Sequence, residues 1–143
     1  MLISTRSRYG LKLMYELALR YGAQPVFLKD IARIHRISEK YLSKLVIPLR
    51  GVGLVSSFRG AHGGYALARE PGAITIREIV QVLEGMIAPA TGPRRRQGAD
   101  AVDSHPTEAV WALLDKTVFE TLENVTLESL VQAGRESVLN YQI

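Results

Sequence analysis

Hydrogen-bonding and cationic side chains concentrate in two short segments of the first half of the chain. One is Ser38–Lys44, and the other is Arg59–Gly64, in which an arginine and a histidine accompany three glycines. Short polar and basic side chains can bind base edges, and Lys, Arg and backbone amides also bind phosphate oxygens. These segments are therefore suited to nucleic-acid recognition, and the candidate DNA contacts are Ser38, Glu39, Lys40, Tyr41, Ser43, Lys44, Arg59, His62 and Gly63.

The residues of the first segment also have a structural interpretation. Ser38 can cap a helix by accepting hydrogen bonds from its first free amides. Glu39 and Lys40 can form a solvent-exposed face, and Tyr41 can belong largely to the core. Arg59 has less structural use, because an arginine at the head of a glycine-rich turn has little core to contact, and such a turn costs conformational entropy.

The charge of the chain is distributed unevenly. Residues 1–70 contain 12 Lys and Arg against 4 Asp and Glu, a net charge of +8, and residues 71–143 contain 6 against 10, a net charge of −4. A basic half suggests a polyanionic partner such as DNA, RNA or anionic lipid, and an acidic half with apolar periodicity suggests protein contacts. The alternative is that the basic face is simply solvated.

Composition excludes several classes of protein. The chain has 143 residues, 47% of them hydrophobic, which suffices for one domain or for a small module with an oligomerisation arm. No apolar run approaches the roughly 20 residues of a membrane span, and no secretory signal is recognised, so a cytoplasmic location is expected. The absence of cysteine excludes disulfides and thiolate chemistry. No P-loop, dinucleotide-binding glycine pattern or nucleophile elbow is found, so the chain is not expected to be an enzyme.

The elements that must position the candidate contacts follow from helical periodicity. Apolar spacing predicts a first helix over 7–21, a second of about two turns over 29–34, and a third over 39–50. Ser38 is predicted to cap the third helix. Pro48 is expected to kink or loosen that helix early, because proline removes one backbone hydrogen bond and clashes with the preceding turn.

A two-stranded hairpin is predicted directly after the third helix. Strand-forming residues at 54–58 and 65–67 flank the glycine-rich turn. Two helices joined by a tight turn and followed by such a ribbon are typical of a winged helix-turn-helix. Thr75 and Glu78 have the spacing of a capping box, in which each side chain bonds the other residue's amide, and they predict a fourth helix over 76–84.

The second half of the chain is predicted to contain a loop and two helices. Residues 88–104 are rich in proline and glycine, and their Arg94–Arg96 run is either a disordered, solvent-exposed segment or a site for an anionic effector or DNA phosphates. A long helix is predicted from Pro106 to about Leu122, followed by a short last helix near Leu127 and a tail without a strong signal. The apolar stripe of the long helix is the expected dimerisation face and comprises Val110, Trp111, Leu114, Val118 and Leu122.

Short motifs along nearly the whole chain form a recognisable set. They are Ile31-Ala32, Ile37-Ser38, Tyr41-Leu42, Gly53-Leu54-Val55, Ser57, Arg59-Gly60, Gly63-Gly64-Tyr65, Leu67-Ala68, Ile79-Val80, Glu84-Gly85, Trp111 and the segment from Asn124-Val125-Thr126-Leu127 to Leu130. This set resembles the Rrf2-type bacterial transcription regulators. The resemblance implies homodimers on pseudo-palindromic operators, long C-terminal helices that cross between subunits, and an arginine of the wing in the minor groove.

The chain departs from the cluster-binding members of that family. Those members carry three cysteines between the fourth helix and the long helix, whereas Pro93, Ala99 and His105 stand at or near the corresponding positions here. Four-sulfur iron clusters need thiolates at almost every ligand position, and His105 with Glu108 provides only two weak candidates for a metal. His105 is interpreted as a residue that begins a helix. No cofactor is expected, and the cluster-free members, which respond to a small molecule or a partner protein, are the closer analogy.

The sequence thus predicts a mainly α fold with a small β-hairpin. Residues 1–85 are assigned to a winged helix-turn-helix DNA-binding domain, 86–105 to a flexible sensor-type loop, and 106–143 to a dimerisation helix and C-terminal tail. The expected function is that of a homodimeric, sequence-specific regulator, either a repressor or an activator, with a repressor favoured. It is expected to bind duplex DNA, to respond to a small-molecule or protein effector and to have no membrane partner. The alternative is an adaptor that docks on proteins, which would not need a net charge of +8 on the half that carries the motif.

Overall fold

The computed structural model describes residues 3–85 and 105–141. Within these ranges the chain forms six α-helices, one 3-10 turn and a two-stranded antiparallel sheet, which confirms the mainly α fold with a small hairpin. The Arg94–Arg96 run lies outside the described residues. In chain order the elements are α1 (Thr5–Leu19), α2 (Leu28–His35), α3 (Glu39–Gly51), β1 (Val55–Phe58), β2 (Gly64–Leu67), a 3-10 turn (Pro71–Ala73), α4 (Ile76–Leu83), α5 (Pro106–Glu123) and α6 (Leu127–Tyr141).

Helix α1 lies at the centre of the core and contacts α2, α3, α4, α6 and β2. Its side chains Leu13, Met14 and Leu17 are at most 1% exposed. Gly10 allows α1 to approach α4 closely, because a Cβ at this position would overlap Leu83 Cδ1 and lie 3.3 Å from Leu83 Cγ. A glycine therefore stands inside this helix because α4 occupies the space that a side chain would need.

Glu84, directly after α4, binds the start of α1. Its Oε1 accepts hydrogen bonds from the Ser4 amide at 3.0 Å, from the Ser4 hydroxyl at 2.7 Å and from the Ser7 hydroxyl. Burial raises the pKa of Glu84, but the hydrogen bonds from Ser7 and Ser4 and the nearby charge of Arg6 outweigh burial and hold the pKa below its ordinary value. The carboxylate also lies at the N-terminus of α1, where a negative charge is stabilised by the helix dipole.

Helix α3 continues through Pro48 and ends at Gly51. The expectation that the helix loosens early at Pro48 is therefore wrong, and the alternative expectation of a kink stays a prediction. A proline removes only one backbone hydrogen bond, and the surrounding turn is fixed by Leu45 and Leu49, which are at most 3% exposed. The Pro48 carbonyl itself accepts a hydrogen bond from the Val52 amide at 3.2 Å.

Thr75 caps α4, although the predicted capping box forms only in part. The Thr75 hydroxyl accepts a hydrogen bond from the Glu78 amide at 3.2 Å. The Glu78 carboxylate pairs with Arg69 rather than with the Thr75 amide. One half of the predicted pair of bonds therefore starts the helix, and the other half is replaced by a contact with the segment that follows the hairpin.

The last helix is longer than predicted, and it completes the core. Helix α6 has 15 residues and packs against α1, so the expectation of a short helix followed by a tail is wrong. Leu127 and Val131 are 0% and 7% exposed. The Leu127 amide donates to the Ile74 carbonyl at 3.0 Å, which attaches the start of α6 to the segment before α4. Among the helices in the described ranges, none is long and apolar enough to cross a membrane.

Candidate nucleic-acid interface

The turn between α2 and α3 fixes the direction in which α3 leaves the core. Arg36 adopts a left-handed conformation with φ of 54°, which no other non-glycine residue in the described chain does. The Ile37 amide donates to the Ala32 carbonyl at 3.0 Å, and the Ile37 side chain is buried. Ser38 then caps α3, because its hydroxyl accepts a hydrogen bond from the Tyr41 amide at 3.3 Å. The predicted capping role of Ser38 is confirmed.

A buried carboxylate joins the end of α2 to α1. Glu16 is 6% exposed, and its Oε1 lies 2.8 Å from Nε2 of His35, the last residue of α2. Its Oε2 accepts a hydrogen bond from the Arg20 guanidinium at 2.6 Å. Because both carboxylate oxygens have partners, the buried charge is compensated and the end of α2 is fixed against α1. The predicted second helix ends at residue 34, so this contact of His35 was not expected from the sequence.

Helix α3 exposes its polar face and turns Tyr41 partly inward. The Ser43 hydroxyl donates to the Glu39 carbonyl at 2.9 Å and stays at the surface. The ring of Tyr41 is half-buried and meets the Tyr9 ring edge to face, with centroids 5.8 Å apart. The predicted contacts of α3 that are exposed are Glu39, Lys40, Ser43 and Lys44.

The hairpin that follows α3 is anchored to the body of the domain. Strands β1 and β2 pair in antiparallel register as far as Phe58 and Gly64. Val26, just before α2, exchanges two backbone hydrogen bonds of 2.8 Å with Tyr65 of β2. The hairpin is therefore fixed relative to the helix-turn-helix close to its tip, because Tyr65 lies one residue from the last strand pair, Phe58 with Gly64.

The tip of the hairpin exposes Arg59 and His62. Gly63 is buried, and its amide donates to the Gly60 carbonyl at 2.9 Å. A Cβ on Gly63 would lie 2.6 Å from the Phe58 carbonyl oxygen, so a side chain at this position would disrupt the turn. Gly63 thus forms the tip, while Arg59 and His62 are the side chains of the tip that are available for contacts.

A groove of about 470 Å³ separates α3 from the hairpin. Arg50, in the last turn of α3, reaches β1, where its Nη1 donates to Ser57 Oγ at 3.3 Å. Among the described residues that line the groove, Lys29, Arg50 and Arg59 are basic and Glu39 is acidic, so the groove favours a polyanion. Arg50 lies beyond the first two turns of α3, from which the candidate contacts of this helix were predicted, although helical spacing places it on the same face as Glu39.

The sequence of the chain is similar to those of known transcription regulators. The sequence model of the Rrf2 family, which is described as an iron-dependent transcriptional regulator, matches residues 3–133. The chain belongs to the Rrf2 family. Among its Rrf2 relatives is the HTH-type transcriptional regulator CymR of Bacillus subtilis (strain 168), which is 46% identical over 131 residues, covering 91% of this chain and 89% of CymR.

Solved structures of Rrf2 proteins share the fold. The structure of CymR (YrzC), described as the global cysteine regulator of B. subtilis, is similar to this chain with a TM-score of 0.76 and 44% sequence identity, covering 93% of this chain and 98% of CymR. The structure of T. potens IscR is similar with a TM-score of 0.79 and 38% identity, covering 96% of this chain and 90% of IscR. Because the Rrf2 family consists of transcription regulators, the prediction that the chain is not an enzyme is confirmed.

The description of the Rrf2 family as iron-dependent calls for a test of the residues that could bind iron. The chain has no cysteine, whereas iron-sulfur clusters are bound chiefly by thiolates. Within 3–85 and 105–141, no three His, Asp or Glu side chains are grouped so as to hold a metal ion. His105 caps α5, since the Thr107 amide donates to its Nδ1 at 3.3 Å, and Glu108 is exposed on the first turn. The interpretation of His105 as a helix-start residue is confirmed, and the residues of this Rrf2 chain do not fit an iron-sulfur cluster.

Helix α5 of this Rrf2 protein carries the predicted apolar stripe. None of its described residues is buried. Val110, Trp111 and Leu114, in its first half, are 60%, 56% and 44% exposed. Val118 and Leu122, in its second half, are half-buried where α5 contacts α4 and the core. The second half of the stripe is therefore partly covered by the same chain, and the first half is open to a partner.

Proposed function

We propose that this chain is a homodimeric, sequence-specific transcription regulator that represses its target genes by binding a pseudo-palindromic duplex operator. The observation that carries the proposal is the surface that α3 shares with the hairpin. The polar face of α3 and Arg59 border one groove, and Arg50 connects α3 to the hairpin through Ser57. A recognition helix and a wing can therefore contact adjacent parts of a duplex at the same time.

Helix α3 is proposed to enter the major groove, which is about 12 Å wide and admits one helix. Ser43 and Glu39 offer a hydroxyl and a carboxylate to base edges, and Lys40 and Lys44 can bind guanine or phosphate oxygens. These four side chains are exposed on the same helix. Tyr41 is half-buried, so its contribution to binding would come from the part of the ring that stays at the surface.

The tip of the hairpin is proposed to follow the DNA backbone into the adjacent minor groove. Narrow minor grooves concentrate negative potential, which attracts arginine. Arg59 is exposed at the tip and His62 lies beside it, while the buried Gly63 keeps the turn compact. The wing would thus add electrostatic affinity and a preference for deformable or A·T-rich flanks.

The exposed stripe of α5 is proposed to bind a second copy of the chain. A groove of about 760 Å³ between α1 and α6, lined by Tyr9, Tyr15 and Leu130 among others, can receive an apolar helix. Arg8 and Lys12 also line this groove, whereas α5 carries four acidic residues against one lysine, so the two surfaces are complementary in charge. A two-fold dimer would place two α3 helices on the two halves of an inverted repeat.

The regulator is proposed to act in the cytoplasm and to respond to a small molecule or a partner protein. A cysteine-ligated cluster is not proposed as the signal, because the chain has no cysteine. Residues 1–85 are proposed to bind DNA, 86–105 to form the sensor-type loop, and 106–143 to provide the dimerisation helix and tail. The core of the DNA-binding part also includes Leu127 and Val131 of α6. A signal that moves α6 would therefore be transmitted to α1 through direct packing, and one that moves α5 would be transmitted to α4.

Removal of the wing arginine tests this proposal. A duplex is first selected from a random-sequence pool at low ionic strength, and its affinity for the full chain is measured as a function of salt. Arg59→Ala should weaken binding about 5- to 150-fold for each half-site, equivalent to about 1–3 kcal/mol for each arginine removed, and should reduce the salt slope by about one for each half-site. Lys116→Ala is the matched control, because it removes an exposed charge on α5, away from the proposed DNA surface, and should leave the affinity unchanged.

Equal affinities of Arg59→Ala and Lys116→Ala for the selected duplex would contradict the assignment of the wing. Failure of the wild-type chain to enrich any duplex at low ionic strength would contradict DNA binding altogether. That second result would favour the adaptor, for which the ligand of the winged helix is a protein.

A further inference from the structure

Ile47 has the most exposed large apolar side chain among the described residues, at 68%. It lies in the third turn of α3, on a face where the other side chains are polar or charged. Single exposed apolar residues are common on protein surfaces, so exposure alone is no sign of function. The place of Ile47 on the helix distinguishes it, because the fold gains little from an aliphatic side chain that stays in water.

The position of Ile47 on α3 places it at the centre of the proposed DNA-facing surface. Successive residues of an α-helix are rotated by about 100°, so Ile47 lies between Ser43, one turn earlier, and Arg50, almost one turn later. Lys40 and Lys44 lie on its other side and are exposed. The opposite face of the helix is in the core and contains Leu42, Leu45, Val46 and Leu49, all at most 3% exposed.

The chemistry of the major groove offers a partner for such a side chain. Base edges in this groove display hydrogen-bond donors and acceptors and one apolar group, the C5-methyl of thymine. Serine, glutamate and lysine can read the donors and acceptors, whereas a methyl group is recognised by an aliphatic surface that excludes water from it. Ile47 is the aliphatic side chain that α3 exposes beside Ser43 and Lys44.

We propose that Ile47 contacts the C5-methyl group of a thymine in each half of the operator and so contributes to sequence specificity. The inference rests on the proposed placement of α3 in the major groove. Covering one methyl-sized group changes affinity by a factor of about four, and two equivalent half-sites together change it roughly 15-fold.

Removal of the thymine methyl group tests the contact. In the selected operator, thymines are replaced by 2′-deoxyuridine one symmetric pair at a time, which deletes the C5-methyl and leaves the hydrogen-bonding groups of the base unchanged. At one pair, the wild-type chain should lose roughly 15-fold in affinity, and Ile47→Ala should lose almost nothing. Ile34→Ala shortens an isoleucine that is 49% exposed on α2 and should respond to deoxyuridine as the wild type does.

Three results would contradict the inference. The contact would be overturned if deoxyuridine lowered the affinity of the wild type and of Ile47→Ala equally at every thymine. It would also be overturned if deoxyuridine lowered the affinity of the wild type at no thymine. Both results would leave DNA binding intact. If the wild-type chain binds no duplex, the proposed function fails and the contact fails with it. Because Ile47 is exposed, Ile47→Ala should have the same thermal unfolding midpoint as the wild type, which is measured alongside.

Discussion

Replacement of Trp111 by alanine should weaken self-association of the chain by roughly three orders of magnitude. Trp111 is 56% exposed. A tryptophan side chain can bury about 150–250 Å², so about 80–140 Å² of it is available to a partner. At about 25 cal/mol/Å² this area is worth about 2–3.5 kcal/mol per protomer, or about 4–7 kcal/mol for the two copies in a symmetric dimer.

The lower limit of that range is expected, because part of the tryptophan surface stays solvated in an interface and association has its own entropic cost. About 4 kcal/mol corresponds to a dimer dissociation constant roughly 10³ times larger. The protomer should stay folded, since no described residue of α5 is buried and Val110 and Leu114, beside Trp111 on the stripe, are 60% and 44% exposed. The far-UV circular dichroism spectrum of the variant should therefore match that of the wild type.

Sedimentation equilibrium over a wide range of protein concentration measures the dissociation constant directly. Ile34→Ala is the control, because it shortens an apolar side chain that is 49% exposed on α2, away from α5. This control should dimerise like the wild type. The reasoning is refuted if Trp111→Ala and Ile34→Ala have the same dissociation constant, or if the wild type is monomeric at every concentration.

Two further predictions concern the core and pH. Gly10→Ala should lower the free energy of unfolding by about 1–2 kcal/mol in chemical denaturation, because overlap with Leu83 outweighs the gain of up to about 1 kcal/mol in helix propensity. Adding Leu83→Val to the Gly10→Ala chain should recover part of this loss. A Gly10→Ala chain that is more stable than the wild type would contradict the contact. The pKa of Glu84 is lowered in the folded state. The ionised Glu84 carboxylate therefore stabilises the fold at any pH above its ordinary pKa of 4.5, and this stabilisation is lost as the pH falls through the lowered pKa. Glu84→Gln should thus be less stable than the wild type at neutral pH, and the difference should shrink at acid pH; a difference independent of pH would contradict the assignment.

The DNA-binding half of the fold could be predicted because its signals are local. Ser38 and Thr75 are good cap residues, and each accepts the hydrogen bond expected of a cap. The predicted third helix ends within one residue of α3, and the predicted strands of the hairpin differ from β1 and β2 by one residue at one end. Periodicity and turn chemistry act over a few residues, which is the range that a single sequence displays directly.

The parts that were missed depend on contacts between distant segments. Glu84 bonds Ser4, 80 positions away, and nothing in the local sequence marks that pairing. Helix α6 is fixed by burial against α1, a tertiary effect that overrides weak local propensity. The start of α6 does have a local signal, because Thr126 and Ser129 each bond the other's amide, at 3.1 and 3.0 Å.

The candidate site was only partly accessible from sequence. Spacing identified the exposed face of α3 and the arginine of the wing, but the approach of Arg50 to Ser57 depends on how the hairpin folds back beside the helix. Gly63 was proposed as a contact, and the structure gives its amide a role inside the turn. The DNA contacts themselves stay predictions, because they depend on the shape of a duplex as well as on this chain.

The sequences that the wild-type chain recovers from a randomised pool of duplexes test the central claim most directly. Two chains joined through α5 should enrich an inverted repeat whose half-site centres are about one helical turn, or 10–10.5 base pairs, or a multiple of it apart. A pool that stays random after repeated selection, or one that converges on a single unrepeated motif, would contradict the claim that this chain recognises DNA as a symmetric dimer.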